Sequence, residues 1–464
     1  SMRGKIILVL ILVVSTILSG CGFFEKIDVS LDSDNQETIN TEPIKTEPFN
    51  KEPSRKEPVS NSTEPDKTEP VNIKPTKNKE TEKENKGVVS LEKEKNESLV
   101  SANKEFSWDI FKKLNTEDSK KDIFISPFSI SGMLTMALNG AEGTTKEALL
   151  KGLRYNGITI EELNKGYAYL MDRIISLDEK VELEIANSIW IRDGFEVKQD
   201  FIDTNRNFLG ADVDTLDFSD TFAAGEINNW ISDKTRNLIT KMIDPPISRD
   251  VMMYLINAIY FKGEWTEAFK AKNTIEADFH AYDKKTDQVS MMQRSGKIEY
   301  YKNDDYQAVR LPYGNEKTGM VVILPNGDIN EFIKNMDGEK WNELNSQLKP
   351  VADLNLKLPR FKMEYGVKKL NGTLSALGMG EAFSDSADFT GIAKNLFISS
   401  VLHKAVVDVN EEGTEAAAVT VGEFMVTSVR EPISFIADRP FIFVIADNED
   451  GNILFMGKKL YGDR

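Results

Sequence analysis

Between Val409 and Ser428 the chain reads VNEEGTEAAAVTVGEFMVTS, and this stretch constrains the possible fold more than any other. Runs of alanine favour helix, because alanine has the highest helix propensity. Here, however, Val419, Thr420, Val421 and Gly422 follow at once and favour an extended chain. Read as a strand of period two, one face carries Thr414, Ala416, Ala418, Thr420, Gly422, Phe424 and Val426. The other carries Glu415, Ala417, Val419, Val421 and Glu423, so both charges fall on one side. A strand with one small, uncharged side and one wet side suits a slot in a sheet that is already packed. Glu411-Glu412-Gly413 reads as a flexible base to it. The alternative is a surface helix or loop, and the segment taken alone leaves both open.

The halves of the 464-residue chain differ in composition, which fits one large folded unit with a tail. The net charge of −17 argues against a nucleic-acid partner, which needs a basic surface stripe. The single cysteine, Cys21, excludes an intramolecular disulfide framework. It stands at the end of a secretory signal: Arg3 and Lys5, the apolar run Ile6 to Ile17, then Leu18-Ser19-Gly20-Cys21. That apolar run is shorter than the ~20 residues of a spanning helix. Leu-Ser-Gly-Cys resembles the bacterial lipobox, which implies that Cys21 is acylated and becomes the mature N-terminus. Hydrocarbon burial at about 0.8 kcal/mol per CH₂ then anchors the protein to the extracellular face of a cell membrane.

Residues 21–97 are polar, with Glu-Pro recurring at Pro43, Pro48, Pro53, Pro58, Pro65 and Pro70 and a Lys/Glu-rich run from Lys77 to Lys95. Too little apolar surface is present to offset ordering entropy, so a disordered stalk is predicted. The domain reading is therefore a signal peptide over 1–20, a stalk over 21–97 and a folded domain over 98–464. In that domain, Val100, Phe106, Ile110 and Leu114 are spaced as on a helix over Leu99 to Leu114. Ile123 to Ile125 reads as a strand stopped by Pro127, with a helix following and Ser126 or Ser129 capping it. Leu183 to Ile191 reads as a strand holding a buried amide, Asn187, and a large core residue, Trp190. Val251 to Phe261 is a near-continuous apolar strand of the kind buried on both faces.

Taken in order, these pieces resemble the serpin family. The hinge motif is matched by Glu411, Gly413, Thr414, Glu415, Ala416, Ala417 and Ala418. Further matches lie in Lys262-Gly263-Glu264-Trp265 with Phe269, in Arg439 to Phe443 and in Phe455 to Lys458. The resemblance covers about residues 98 to 464. It implies an α+β fold: a large central, mostly antiparallel β-sheet, further sheets, about eight or nine helices and an exposed reactive-centre loop. It places Ser126, Ser129, Asn187, Trp190 and His403 in the gating regions of that sheet, with Trp190 near where the loop enters and His403 bonded to Asn187 or Ser126. Counting forward from the hinge puts the reactive bond at Thr427-Ser428. Counting back from Pro440 favours Val429-Arg430, and Met425 is a further alternative.

The function implied is inhibition of a serine protease of elastase-like, subtilisin-like or chymotrypsin-like preference, by a monomer needing no cofactor and no metal. The alternative is a non-inhibitory surface lipoprotein of the same fold that acts as a binding module. Only His280 and His403 are available to a Ser/His/Asp triad. His403 lies in a strand-like run ending at the hinge and reads as a satisfied core group rather than a base. No nucleophile elbow, zinc spacing or phosphate loop occurs, so an enzyme is not expected.

Overall fold

The structure, a computed structural model, describes residues 79–176, 178, 180–413 and 433–462, with side chains from Asn96 onward. These residues belong to one compact unit, Lys77–Arg464. In chain order it begins with α1 (Lys79–Glu117), β1 (Ile123–Ile125), α2 (Pro127–Leu138), α3 (Gly143–Gly152) and α4 (Ile160–Ser176). Next come β2 (Val181–Arg192), α5 (Gln199–Leu209), β3 (Asp212–Leu216), α6 (Ala223–Lys234), β4 (Met253–Gly263) and β5 (Ile275–His280). Strands β6 (Thr286–Lys302), β7 (Tyr306–Pro312) and β8 (Thr318–Pro325) lead to α7 (Ile329–Lys334) and α8 (Gly338–Gln347). Then β9 (Lys349–Pro359), β10 (Phe361–Glu364), β11 (Lys368–Lys369), α9 (Asn371–Leu374) and β12 (Ser400–Val409) bring the chain to the hinge. Strands β13 (Ile433–Ile436), β14 (Phe441–Asp447) and β15 (Ile453–Lys459) complete it.

Helix α1 corrects the stalk boundary. It starts at Lys79 and runs 39 residues, so residues 79–97 are helical where composition predicts disorder. The reason is local: lysine and glutamate are good helix formers. Extending a helix that the buried Leu99, Phe106, Trp108 and Phe111 already nucleate costs little.

Two sheets organise the unit. A nine-stranded sheet runs β1-β15-β14-β8-β7-β6-β9-β13, with β5 paired to β6. A six-stranded sheet runs β10-β12-β4-β2-β3, with β11 also on β12. The expected "mostly antiparallel" holds for β2 on β4 and for β10 and β11 on β12, but the sheet is mixed. Strand β3 is parallel to β2, and β12 is parallel to β4. Nine α-helices are present among the described residues.

As the apolar run predicts, β4 is buried on both faces. Tyr254, Ile256 and Ala258 meet Leu402, Val406 and α6 on one side. Leu255 and Ile259 point with Val401 and Ala405 into the main core on the other. There α2 lies beneath the sheet, every residue of it buried. Pro127 opens this helix, and the Ser126 side chain caps it by accepting the Ser129 N–H. No helix among the described residues is long and apolar enough to cross a membrane.

Candidate functional site

Strands β4 and β12 form a seam. They pair directly, in parallel, from Ser400↔Tyr254 to Val406↔Tyr260, and no strand stands between them. The ladder ends there although β12 continues to Val409 and β4 to Gly263. At this open end the hinge stem leaves β12. The stem is bonded rather than free, which corrects its reading as a flexible base. The Trp265 N–H donates to the Glu412 carbonyl (2.9 Å), the Trp265 indole to the Asn410 carbonyl (3.0 Å) and the Phe269 N–H to the Glu411 carbonyl (2.7 Å). Glu411 is buried; its carboxylate accepts from the Thr274 hydroxyl (2.7 Å) and pairs with Arg360 (3.6 Å).

Gly413 closes the stem with φ of 134°, a region that side chains rarely enter. A Cβ there would strike the Gly263 carbonyl and the Trp265 backbone. Only glycine lets the chain turn this close to the end of β4.

A row of polar side chains crosses the middle of the seam. Asn187 of β2 stands opposite Asn257 of β4, which stands opposite His403 of β12. Asn257 Nδ2 donates to Asn187 Oδ1 (2.8 Å) and to the Ser129 hydroxyl of α2. The Nδ1 of His403 is 2.7 Å from Asn257 Oδ1, and its Nε2 accepts the Ser126 N–H (3.2 Å). An acceptor at Nε2 requires the proton on Nδ1, so the ring is neutral and fully used. Burial lowers its pKa to about 3. The Ser126 hydroxyl donates elsewhere, to the Leu454 carbonyl of β15 (2.7 Å).

The arrangement sorts the predicted residues. Ser126, Ser129, Asn187 and His403 come together, His403 meeting Ser126 directly and Asn187 only through Asn257. Trp190 does not join them. It pairs with Tyr254, which is level with Ser400, at the end of β12 away from the hinge, on the order of 30 Å along the strands. There its ring meets Trp230 of α6 edge-on at 5.9 Å. The tryptophan at the stem is Trp265, stacked on Tyr313 at 4.5 Å.

Two residues were thus missed. In the sequence Trp265 stands out only as part of the matched run Lys262-Gly263-Glu264-Trp265. Asn257 was legible as the one amide inside the apolar strand VMMYLINAIYF. Thr414, Glu415, Ala416 to Ala418, Met425, Thr427, Ser428, Val429, Arg430 and Cys21 lie outside the described residues. His280 is exposed at the end of β5, away from the seam. Among the described residues no group of His, Cys, Asp or Glu is placed to hold a metal ion.

A mixed sheet with a parallel seam, a buried polar clasp across it and a bonded hinge stem at its open end defines a class of α+β proteins whose sheet carries a hinge at one end of that seam. The chain belongs to the serpin (serine protease inhibitor) family, whose sequence model matches residues 101–461. It is 35% identical over 377 residues to the leukocyte elastase inhibitor of Xenopus laevis, across 78% of this chain and 99% of that one. Intracellular coagulation inhibitor 2 of Tachypleus tridentatus is 33% identical over 78% of this chain and 90% of its own. Among solved structures, the thermophilic serpin tengpin in its native state superimposes with a TM-score of 0.72 at 34% identity, covering 78% of this chain and 94% of tengpin. Human thyroxine-binding globulin gives 0.74 at 26% identity, covering 80% and 100%.

Proposed function

We propose that the protein inhibits serine proteases as a suicide substrate. The observation that carries this is the parallel pairing of β4 and β12. A chain that leaves the end of β12 and folds back runs antiparallel to both strands. It therefore fits between them, replacing one parallel ladder with two antiparallel ones. The protease attacks the loop and forms an acyl-enzyme ester, which water would normally resolve. Insertion of the freed loop carries the tethered protease off and distorts its site before that happens; such strand addition is recognised serpin behaviour. About 14 inserted residues at ~3.4 Å each span ~48 Å.

The hinge supports competence: Gly413 turns, and Thr414, Ala416 and Ala418 present no bulk or charge to the slot. Thyroxine-binding globulin shares the fold, so fold alone does not separate an inhibitor from a binding module; the small inserting face favours the inhibitor. The reactive bond is Thr427-Ser428, suited to proteases that accept small or medium side chains, in keeping with relatives named as elastase inhibitors. Elastase, subtilisin, chymotrypsin and trypsin, each incubated with the protein and read on denaturing gels, provide the test. The expected result is an SDS-resistant complex with elastase or subtilisin and a released fragment beginning at Ser428. Clean cleavage by all four with no complex would overturn the reading.

The protein is further read as a lipoprotein held on the extracellular face of a cell membrane through acylated Cys21. Leu18-Ser19-Gly20-Cys21 after the basic and apolar segments supports this. Mass spectrometry of membrane-extracted protein should show a diacylglyceryl and acyl mass on Cys21, and an unmodified residue would refute it.

A further inference from the structure

In the part of the chain between the two seam strands, a cleft of about 820 Å³ opens where the β6–β7 turn (Asn303 to Asp305) faces α7 and α8. None of its lining residues belongs to the six-stranded sheet or to the hinge stem. Its wall is aromatic. Tyr306 stands between Tyr301, with centroids 5.8 Å apart and planes at 59°, and Phe332, at 5.3 Å and 66°. Rings at these distances are in contact with one another and together form one aromatic wall along the cleft.

The rim is acidic. Glu331 pairs with Lys334, and Asp328 caps α7, but Asp305 and Glu343 hold no cation among the described residues. Both act on Tyr306: burial first, then Tyr301, Glu343 and Asp305, push its pKa up to about 12. Lys340 also lines the cleft and donates to the Asn335 carbonyl; its single charge stands against five lining carboxylates, Asp304, Asp305, Asp328, Glu331 and Glu343. Elsewhere this chain sets its own cations over its rings, as with Lys234 on Trp230 at 5.6 Å and Arg294 on Phe269 at 5.5 Å. Among the described residues none stands over Tyr301, Tyr306 or Phe332.

We propose that this cleft binds a small organic cation bearing an alkylated ammonium group. An aromatic wall beside carboxylates that hold no cation calls for positive charge. A bare metal ion needs oxygen ligands converging on one point, and among the described residues no group of His, Cys, Asp or Glu converges in that way. A plain ammonium is strongly hydrated and gains little from aromatic walls. An alkylated one sheds water readily, packs its alkyl groups against the aromatic wall of the cleft and takes up the cation–π attraction.

Titration calorimetry on the full chain tests this with choline and with 3,3-dimethylbutan-1-ol, its uncharged isostere. Choline should bind saturably and the isostere about tenfold more weakly or worse. Tyr306→Leu should weaken choline by about tenfold, whereas Tyr306→Phe, which keeps the ring, should stay within about threefold. The exposed pair Asp305→Asn with Glu343→Gln, which leaves the packing alone, should also weaken it about tenfold and decides the matter if Tyr306→Leu does not fold. Equal binding of choline and the isostere, choline binding indifferent to the Asp305/Glu343 pair, or no saturation at any soluble concentration would overturn the proposal.

Discussion

His403 shows how one side chain can hold a sheet shut. Its ring is neutral in the fold, with a pKa of about 3, against ~6.5 for an exposed imidazole. Between those values the unfolded chain binds a proton that the folded one refuses, so stability falls as pH falls from about 6.5 towards 3. The contribution lost by pH 5 is about 2 kcal/mol, since each pH unit is worth ~1.4 kcal/mol. Urea unfolding at pH 7 and pH 5 should show this loss, and His403→Gln, which cannot titrate, should lack it. The same residue-level logic governs the hinge. Thr414→Arg should turn the inhibitor into a substrate, because insertion would bury an unpaired charge. An SDS-resistant complex persisting in that variant would refute the hinge argument. At this scale the sequence spoke through residue type and neighbours: Gly413 and His403 were legible. Trp190 was misplaced because a large apolar residue on a strand says nothing about which end of the sheet it occupies. Only the registers of β2 with β4 and of β4 with β12 decide that.

Strands were the easiest elements to read, because β-branched, apolar runs bounded by glycine and proline leave few alternatives. The run Val251 to Phe261 became β4, starting two residues later, and the strand-like run that holds His403 and ends at the hinge became β12. What single strands cannot reveal is partnership. The parallel pairing of β4 and β12, distant in sequence, is a tertiary choice made by α2 beneath and α6 above. Composition likewise concealed the first turns of α1, since Lys/Glu-rich sequence supports either a solvated coil or a helix and the adjoining core tips the balance. If inhibition requires β4 and β12 to part, pinning them should abolish it. Lys404 and Ala258 are directly opposed, and Lys404→Cys with Ala258→Cys should form a disulfide at the usual Cα separation of about 5.5 Å. When oxidised, this variant should be cut by the protease without trapping it, and reductant should restore the complex. Trapping by the oxidised form would show that the seam does not open.

For the molecule as a whole, the closed seam is a state that more hydrogen bonds could still improve. Each ladder bond is worth about 1 kcal/mol net, so an added strand gains on the order of 10 kcal/mol, comparable with the whole stability of an ordinary domain. The uncut protein is then kept by a barrier rather than by a minimum. Nicked protein should melt well above intact protein in calorimetry, and equal melting temperatures would mean that no strand had been added. The short ladder at the top of the seam carries a price beyond the single molecule. Beyond Val406 the place beside β12 cannot tell its own loop from that of a neighbour. A loop lent to the next copy leaves that copy's loop free to be lent in turn, a head-to-tail linkage with no closing step. Crowding and warmth together should therefore string the molecules into filaments, and dilution is what keeps each one its own.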